Sequence, residues 1–133
     1  MKKEQLVRHE FEPVYDKNSE ILILGSFPSV KSREQGFYYG HPQNRFWKVL
    51  AAIVQEKIPD SIEEKKEMLL RNHIAVYDVI WQCKITGSSD SSIKDVVPAD
   101  ITTIVELSKI RKIYANGKLA EKLFSKYQER RLE

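Results

Sequence analysis

The sequence predicts an α/β domain with a mostly parallel sheet, on three observations. Ile21–Leu24 is a short apolar run, too short and too β-branched for a helix, and reads as a central strand buried on both faces. Ile74–Val79 and Ile110–Ala115 supply two more strand candidates, although the pattern of the first also fits a helix. Between these runs lie amphipathic stretches, and alternation of strand and helix is the signature of a parallel sheet covered by helices.

Residues 1 to 18 are polar and carry Pro13, and read as an arm that feeds the first strand. Gly25–Pro42 is rich in Gly, Ser and aromatics and reads as a long structured loop, of a length that usually serves function in a compact domain. Asn44–Glu56 follows as a helix, with Phe46, Trp47, Leu50, Ile53 and Val54 at helical spacing. Ser61 and Glu64 form a capping-box pattern that opens a second helix ending near Asn72. Gly87–Ser92 is a polar loop, and Asp100 is placed to cap a helix over Ile101–Ser108. Asn116-Gly117 turns the chain into a final amphipathic helix over Lys118–Arg130, using Leu119, Leu123, Phe124 and Tyr127. There is no internal repeat and no sign of a second domain, so residues 1–133 are expected to form one.

Bulk composition narrows the function less. The chain of 133 residues is long enough to bury a real core, and its 41% hydrophobic and 31% charged content is ordinary for a globular protein. It has no apolar run of the roughly eighteen residues that a membrane helix needs. The start, Met-Lys-Lys-Glu-Gln, lacks the apolar stretch of a secretory signal. Cys83 is the sole cysteine, which excludes an internal disulfide and fits a reducing cytoplasm. Histidines at 9, 41 and 73 are too scattered to suggest a metal site. A net charge of +3 permits an anionic partner such as nucleic acid without arguing for one.

In a parallel sheet, ligands bind beyond the carboxyl ends of the strands. That places the Gly25 loop, the stretch after Val79 and the Asn116-Gly117 turn at one edge, and confines the chemistry to them. "GSFPS" at residues 25 to 29 contains no acid, base or metal ligand. It is either a tight strand-to-loop turn or a cradle of backbone groups stiffened by Pro28. In "GFYYGHPQNRFW", residues 36 to 47, three consecutive aromatics either cap the core or offer a ring face for a planar ligand. Pro42 fits a helix start and Asn44 a helix cap. His41 is a candidate base or a structural hydrogen-bonder, with no serine and acid to complete a triad. Asp78 is the best-placed carboxylate, unless it only bonds local backbone amides.

Together these motifs carry a family likeness. Gly25-Ser26-Phe27-Pro28-Ser29 followed by Gly36–Trp47 resembles the uracil-DNA glycosylase superfamily. His41-Pro42-Gln43-Asn44-Arg45-Phe46-Trp47 is similar to the mismatch-specific uracil glycosylases, and Gly25-Ser26-Phe27-Pro28 looks more like the hypoxanthine-DNA (deoxyinosine) glycosylase branch. Asp78-Val79-Ile80, Gly87-Ser88 with Asp90-Ser91 and Ile93, and Asn116-Gly117-Lys118 extend the likeness over most of the chain.

The resemblance implies a three-layer α/β/α sandwich with a mostly parallel central sheet. It implies hydrolysis of the N-glycosidic bond of a flipped, deaminated base, hypoxanthine or uracil, with no cofactor and no metal. The partner would be DNA containing such a base, not a membrane, and the protein is expected to be a cytoplasmic monomer. Where related branches carry Asp or Asn to place the attacking water, this chain has Phe27. The resemblance to the hypoxanthine branch hands that role to Asn44, acting by positioning because a neutral amide cannot deprotonate water. Tyr39 falls where relatives stack a ring on the extruded base. Backbone groups of Ser26 and Phe27 would line the base pocket, Asn116 would add a polar contact, and His41 and Asp78 would stand behind them. The family's late Pro-Ser-rich loop has no counterpart before Leu132-Glu133, so a C-terminally truncated domain with lowered or lost activity is expected. The alternatives are an inactive relative that binds DNA or free bases, and an unrelated α/β enzyme for some other planar ligand.

Overall fold

The computed structural model describes residues 3–28, 30–41, 44–87 and 89–132. Ser29, Pro42, Gln43, Ser88 and Glu133 of the stretches quoted above lie outside them.

Strands β2 (Ile21–Gly25), β3 (Ile74–Asp78) and β6 (Lys112–Ala115) form a parallel sheet in the order β3-β2-β6. β2 lies in the middle, with Ile23 opposite Val76 on one side and Tyr114 on the other. Its two faces differ. Leu22 and Leu24 are fully buried, whereas Ile21 and Ile23 are only half-covered. All five residues of β3 are buried, which explains the continuous apolar run IAVY in that strand.

Helix α2 runs over Phe46–Val54, and α3 over Ile62–Arg71 with Ser61 as its cap, the serine Oγ accepting from the Glu64 N–H at 3.0 Å. Asp100 caps α4 (Ile101–Glu106) in the same way, through the Thr103 N–H. Helix α5 (Lys118–Tyr127) ends in a 3-10 turn over Glu129–Leu132. Just before that turn, the buried Gln128 donates from Nε2 to the carbonyls of Val79 (3.1 Å) and Ala99 (2.8 Å). The end of α5 is thereby tied to the junction that follows β3.

Several elements depart from the sequence expectations. The polar arm holds strand β1 (Glu4–Arg8), which pairs antiparallel with β4 (Ile80–Thr86). β4 also pairs antiparallel with β5 (Lys94–Pro98), so a second three-stranded sheet stands beside the parallel one. The mostly parallel expectation holds for the β3-β2-β6 sheet alone. The long loop contains a short helix α1 (Val30–Gln35), α2 starts two residues after Asn44, and the strand expected from Ile110 starts at Lys112.

The physical reason for missing β4 lies in its pairing. Register shifts between Ile80 and Lys84 turn the inward phase from Ile80 to Cys83 and Ile85, so no single period of two survives. β1 and β5 are edge strands whose residues are mostly exposed and none fully buried, which leaves no apolar stripe to read.

Candidate active site at the carboxyl edge

The local fold of β2 and β3 builds the floor of the site. β2 ends at Gly25, paired with Asp78 at the end of β3. The chain leaving β3 stays attached to the loop after β2. Val79 N–H donates to the Gly25 carbonyl (2.8 Å) and Ile80 N–H to the Ser26 carbonyl (3.1 Å). The Ser26 carbonyl is thus already satisfied by protein. A Cβ on residue 25 would collide with Asp78 Oδ1 and stand 3.0 Å from Tyr39 Oη. Glycine there is required by the close approach of a carboxylate and a phenol, the situation in which a missing side chain matters.

Asp78 is buried and its Oδ2 lies 2.7 Å from His9 Nε2, with both side chains almost wholly enclosed. His9 Nδ1 is buried without a hydrogen-bond partner. The carboxylate can only accept, so His9 Nε2 is the donor in this pair. Oδ1 is left facing the space over Gly25.

The three aromatics divide between both readings of the loop. Phe37 and Tyr38 are core residues: the Tyr38 hydroxyl donates to the Glu12 carbonyl (2.8 Å), and the Trp47 indole donates to the Tyr38 carbonyl (3.1 Å). Tyr39 faces the site in a left-handed conformation (φ 53°), a strained state for a bulky residue. Its ring stacks on Phe46 at 3.9 Å between centroids. Burial first, then the Asp78 carboxylate, push its phenol well above the ordinary tyrosine range. The Asn116 amide partly offsets this without reaching good hydrogen-bond geometry, and Oη stays unpartnered.

Asn44 is exposed and caps α2 from two residues outside. Its Oδ1 accepts from the Phe46 N–H (2.8 Å), and its own N–H donates to the His41 carbonyl (2.9 Å). Asn116 follows β6, anchored by its N–H to the Leu24 carbonyl at 2.7 Å.

These groups enclose a cavity of about 170 Å³, whose wall includes Ser26, Phe27, Tyr39, Asn44, Asp78 and Asn116. Asp78, expected behind the pocket, forms part of its wall. His41 does not reach it: its side chain is exposed, and its contribution is the carbonyl that holds Asn44. Sequence reasoning misses His9 as a site residue because its partner lies 69 positions away. The alternation Val7-His9-Phe11 was the available signal, since it puts a histidine on an apolar strand face. Among the described residues, no group of three or more His, Cys, Asp or Glu could hold a metal ion. No helix among them is long and apolar enough to cross a membrane.

The comparisons with known proteins agree with this geometry. The family model of the uracil DNA glycosylase superfamily matches residues 12–132. The chain belongs to that superfamily. It is 38% identical over 117 residues to a hypoxanthine DNA glycosylase of Methanosarcina acetivorans, covering 86% of this chain and 74% of that protein. A second hypoxanthine DNA glycosylase, from Methanosarcina barkeri, is 37% identical over 110 residues, 81% of this chain and 70% of its own length. A Methanosarcina acetivorans protein solved by solution NMR superposes with a TM-score of 0.78 at 36% identity, over 92% of this chain and 78% of that one. The three-layer α/β/α class and the hypoxanthine branch are therefore those of the family the motifs resembled.

Proposed function

We propose that this uracil DNA glycosylase superfamily member hydrolyses the N-glycosidic bond of a deaminated base, with hypoxanthine as first candidate and uracil as second. The observation that carries the reading is the convergence of Asn44, Asp78, Asn116 and the Tyr39 phenol on one small cavity beyond the parallel strands. Most of its wall is polar or aromatic, which suits a single planar heterocycle extruded from a duplex.

Cleavage of the bond leaves a sugar with cationic character and a base that takes up negative charge, so a catalyst must place water at the anomeric carbon. Asn44 supports that role by its geometry. The Phe46 N–H occupies one lone pair of Oδ1 and locks the rotamer, and a second lone pair is left to accept from a water. The amide acts by orientation, because it has no proton affinity to serve as a base at neutral pH.

Asp78 supports selection of the base. A carboxylate only accepts hydrogen bonds, so Oδ1 favours a ring that presents N–H, as hypoxanthine does at N1 and uracil at N3. Adenine and cytosine present lone pairs at the same positions and would meet repulsion. This acceptor thus turns away adenine and cytosine, the parents of the two deaminated bases, whereas guanine and thymine, which also present N–H there, are left for the rest of the pocket to refuse. Asn116, whose amide offers both donor and acceptor, complements the carbonyl edge of the same bases.

The test is a single-turnover assay at low salt on labelled duplexes bearing one hypoxanthine or one uracil, scored for abasic sites. Release of either base by the wild-type chain, lost in Asn44→Ala, is expected. Undiminished release by that variant would reduce Asn44 to a helix cap, and no release by the folded wild-type chain would sink the glycosylase reading.

A further inference from the structure

A second polar concavity, of about 260 Å³, is lined by Leu6, Val7, Arg8, Glu10 and Arg33. Two guanidiniums against one carboxylate give it a net positive wall. Arg33 is partly buried, with its guanidinium carbon 5.8 Å from the centre of the Phe27 ring. Its Nε is buried and unpartnered, and it makes no ion pair among the described residues. Structural arginines in folded proteins satisfy their donors with carboxylates or carbonyls, so a half-buried guanidinium with none asks for an acceptor from outside. Arg8 is held in place by a bond from Nε to Gln82 Oε1 (2.6 Å) and by packing over Trp81 at 5.8 Å. That bond uses Nε and leaves the two terminal nitrogens of the fork to a ligand.

We propose that Arg8 and Arg33 form an oxyanion site that grips a backbone phosphate of the DNA strand from which the base is flipped. The inference rests on the glycosylase reading and adds to it the group that holds the strand. Position favours this occupant. Arg8 pairs with Gln82 in the stretch that continues past the carboxyl end of β3, on the edge where the base cavity opens. Arg33 is one contact from that cavity, since it packs on Phe27, a cavity wall. The planar forks match the chemistry, since guanidinium binds phosphate through paired N–H groups.

The experiment measures binding of the full chain to a duplex with one abasic-site analogue, by fluorescence anisotropy over a series of KCl concentrations. Wild type is compared with Arg8→Gln, Arg33→Gln and the double variant, with folding followed by circular dichroism. Arg111→Gln is the control, since Arg111 pairs with Glu20 at the opposite end of the sheet. Each phosphate contact contributes close to one to the slope of log affinity against log salt, so each site variant should lower that slope by about 1, and the double variant by about 2. The control should keep the wild-type slope. Arg8 is exposed, so its variant keeps the test informative if Arg33→Gln fails to fold.

Wild-type slopes in both folded site variants would overturn the inference and leave the glycosylase reading intact, provided the wild-type chain still releases base. Binding of inorganic phosphate that is lost in the variants, with DNA affinity unmoved, would overturn the backbone assignment in favour of a free anion. A wild-type chain that neither binds the duplex nor releases base would remove both readings together.

Discussion

Two concavities share Asn44 and Asn116 in their walls, and they could hardly differ more. The one at the carboxyl edge is about 170 Å³ and is walled by a carboxylate, a phenol and two amides. The other, about 700 Å³, lies over the half-covered face of β2, with Ile21, Ile23, Val49, Leu50 and Ile53 among its residues. The larger space offers apolar surface and little that can react or orient. The smaller one gathers groups from four separate segments of the chain. Chemistry follows the convergence of polar groups, and volume by itself is a poor guide.

Substitutions in the two concavities sharpen that contrast. The largest effect is expected from Asn44→Ala, where base release in single turnover should fall by about 10²-fold or more, as for loss of a transition-state positioning group. The accompanying loss of a helix cap should cost only about 1 kcal/mol in a denaturation experiment. Gly25→Ala comes next. The added Cβ forces Asp78 and Tyr39 apart, with about 1–3 kcal/mol of overpacking strain and a misplaced site. Thermal melting and base release should fall together. Normal activity in that variant would show that the cavity floor is softer than its packing implies.

Asp78→Asn tests selectivity. An amide can present N–H where the carboxylate presents only lone pairs, so preference for hypoxanthine over adenine should drop by at least about tenfold, the worth of one mispaired hydrogen bond. Competition between the two bases in the same duplex context measures it directly.

Alkaline titration separates the buried aromatic cluster from the rest of the chain. Tyr77 is pushed up to about 12, chiefly by burial and then by Asp78, and Tyr38 and Tyr39 are pushed higher for the same reasons. In the unfolded chain these phenols ionise near pH 10. Above that pH the unfolded state binds fewer protons than the native one, so stability is full below about pH 10 and falls as pH rises further. Absorbance of phenolate should show three of the six tyrosines ionising late, together with unfolding. Smallest of all is Ile53→Ser in the wide groove. With the side chain already 71% exposed, stability should move by less than about 0.5 kcal/mol and base release should not change.

The legible parts of the molecule were those whose signal is local. The β2 and β3 runs, the Ser61 and Asp100 caps and the stripe on α2 each declare themselves within a few residues. The order of the motifs also located the site edge, because the carboxyl ends of parallel strands must lie together. The antiparallel sheet was not legible. Its edge strands bury little, and a bulged register scrambles the period of β4. The same loss of locality hid His9, which acquires its meaning only by lying against Asp78.

The sequence by itself determined the α/β class, the family and most of the residues that line the candidate cavity. Tertiary structure decided their parts. It brought both Tyr38 and Tyr39 to the cavity but tied the Tyr38 hydroxyl to the Glu12 carbonyl and left the Tyr39 hydroxyl unpartnered, put Asp78 into the wall, and left His41 outside it. Neighbouring residues with similar side chains cannot be told apart by composition. Which of them faces a cavity depends on backbone dihedrals and on contacts with strands far away in the chain, and those exist only once the chain has folded.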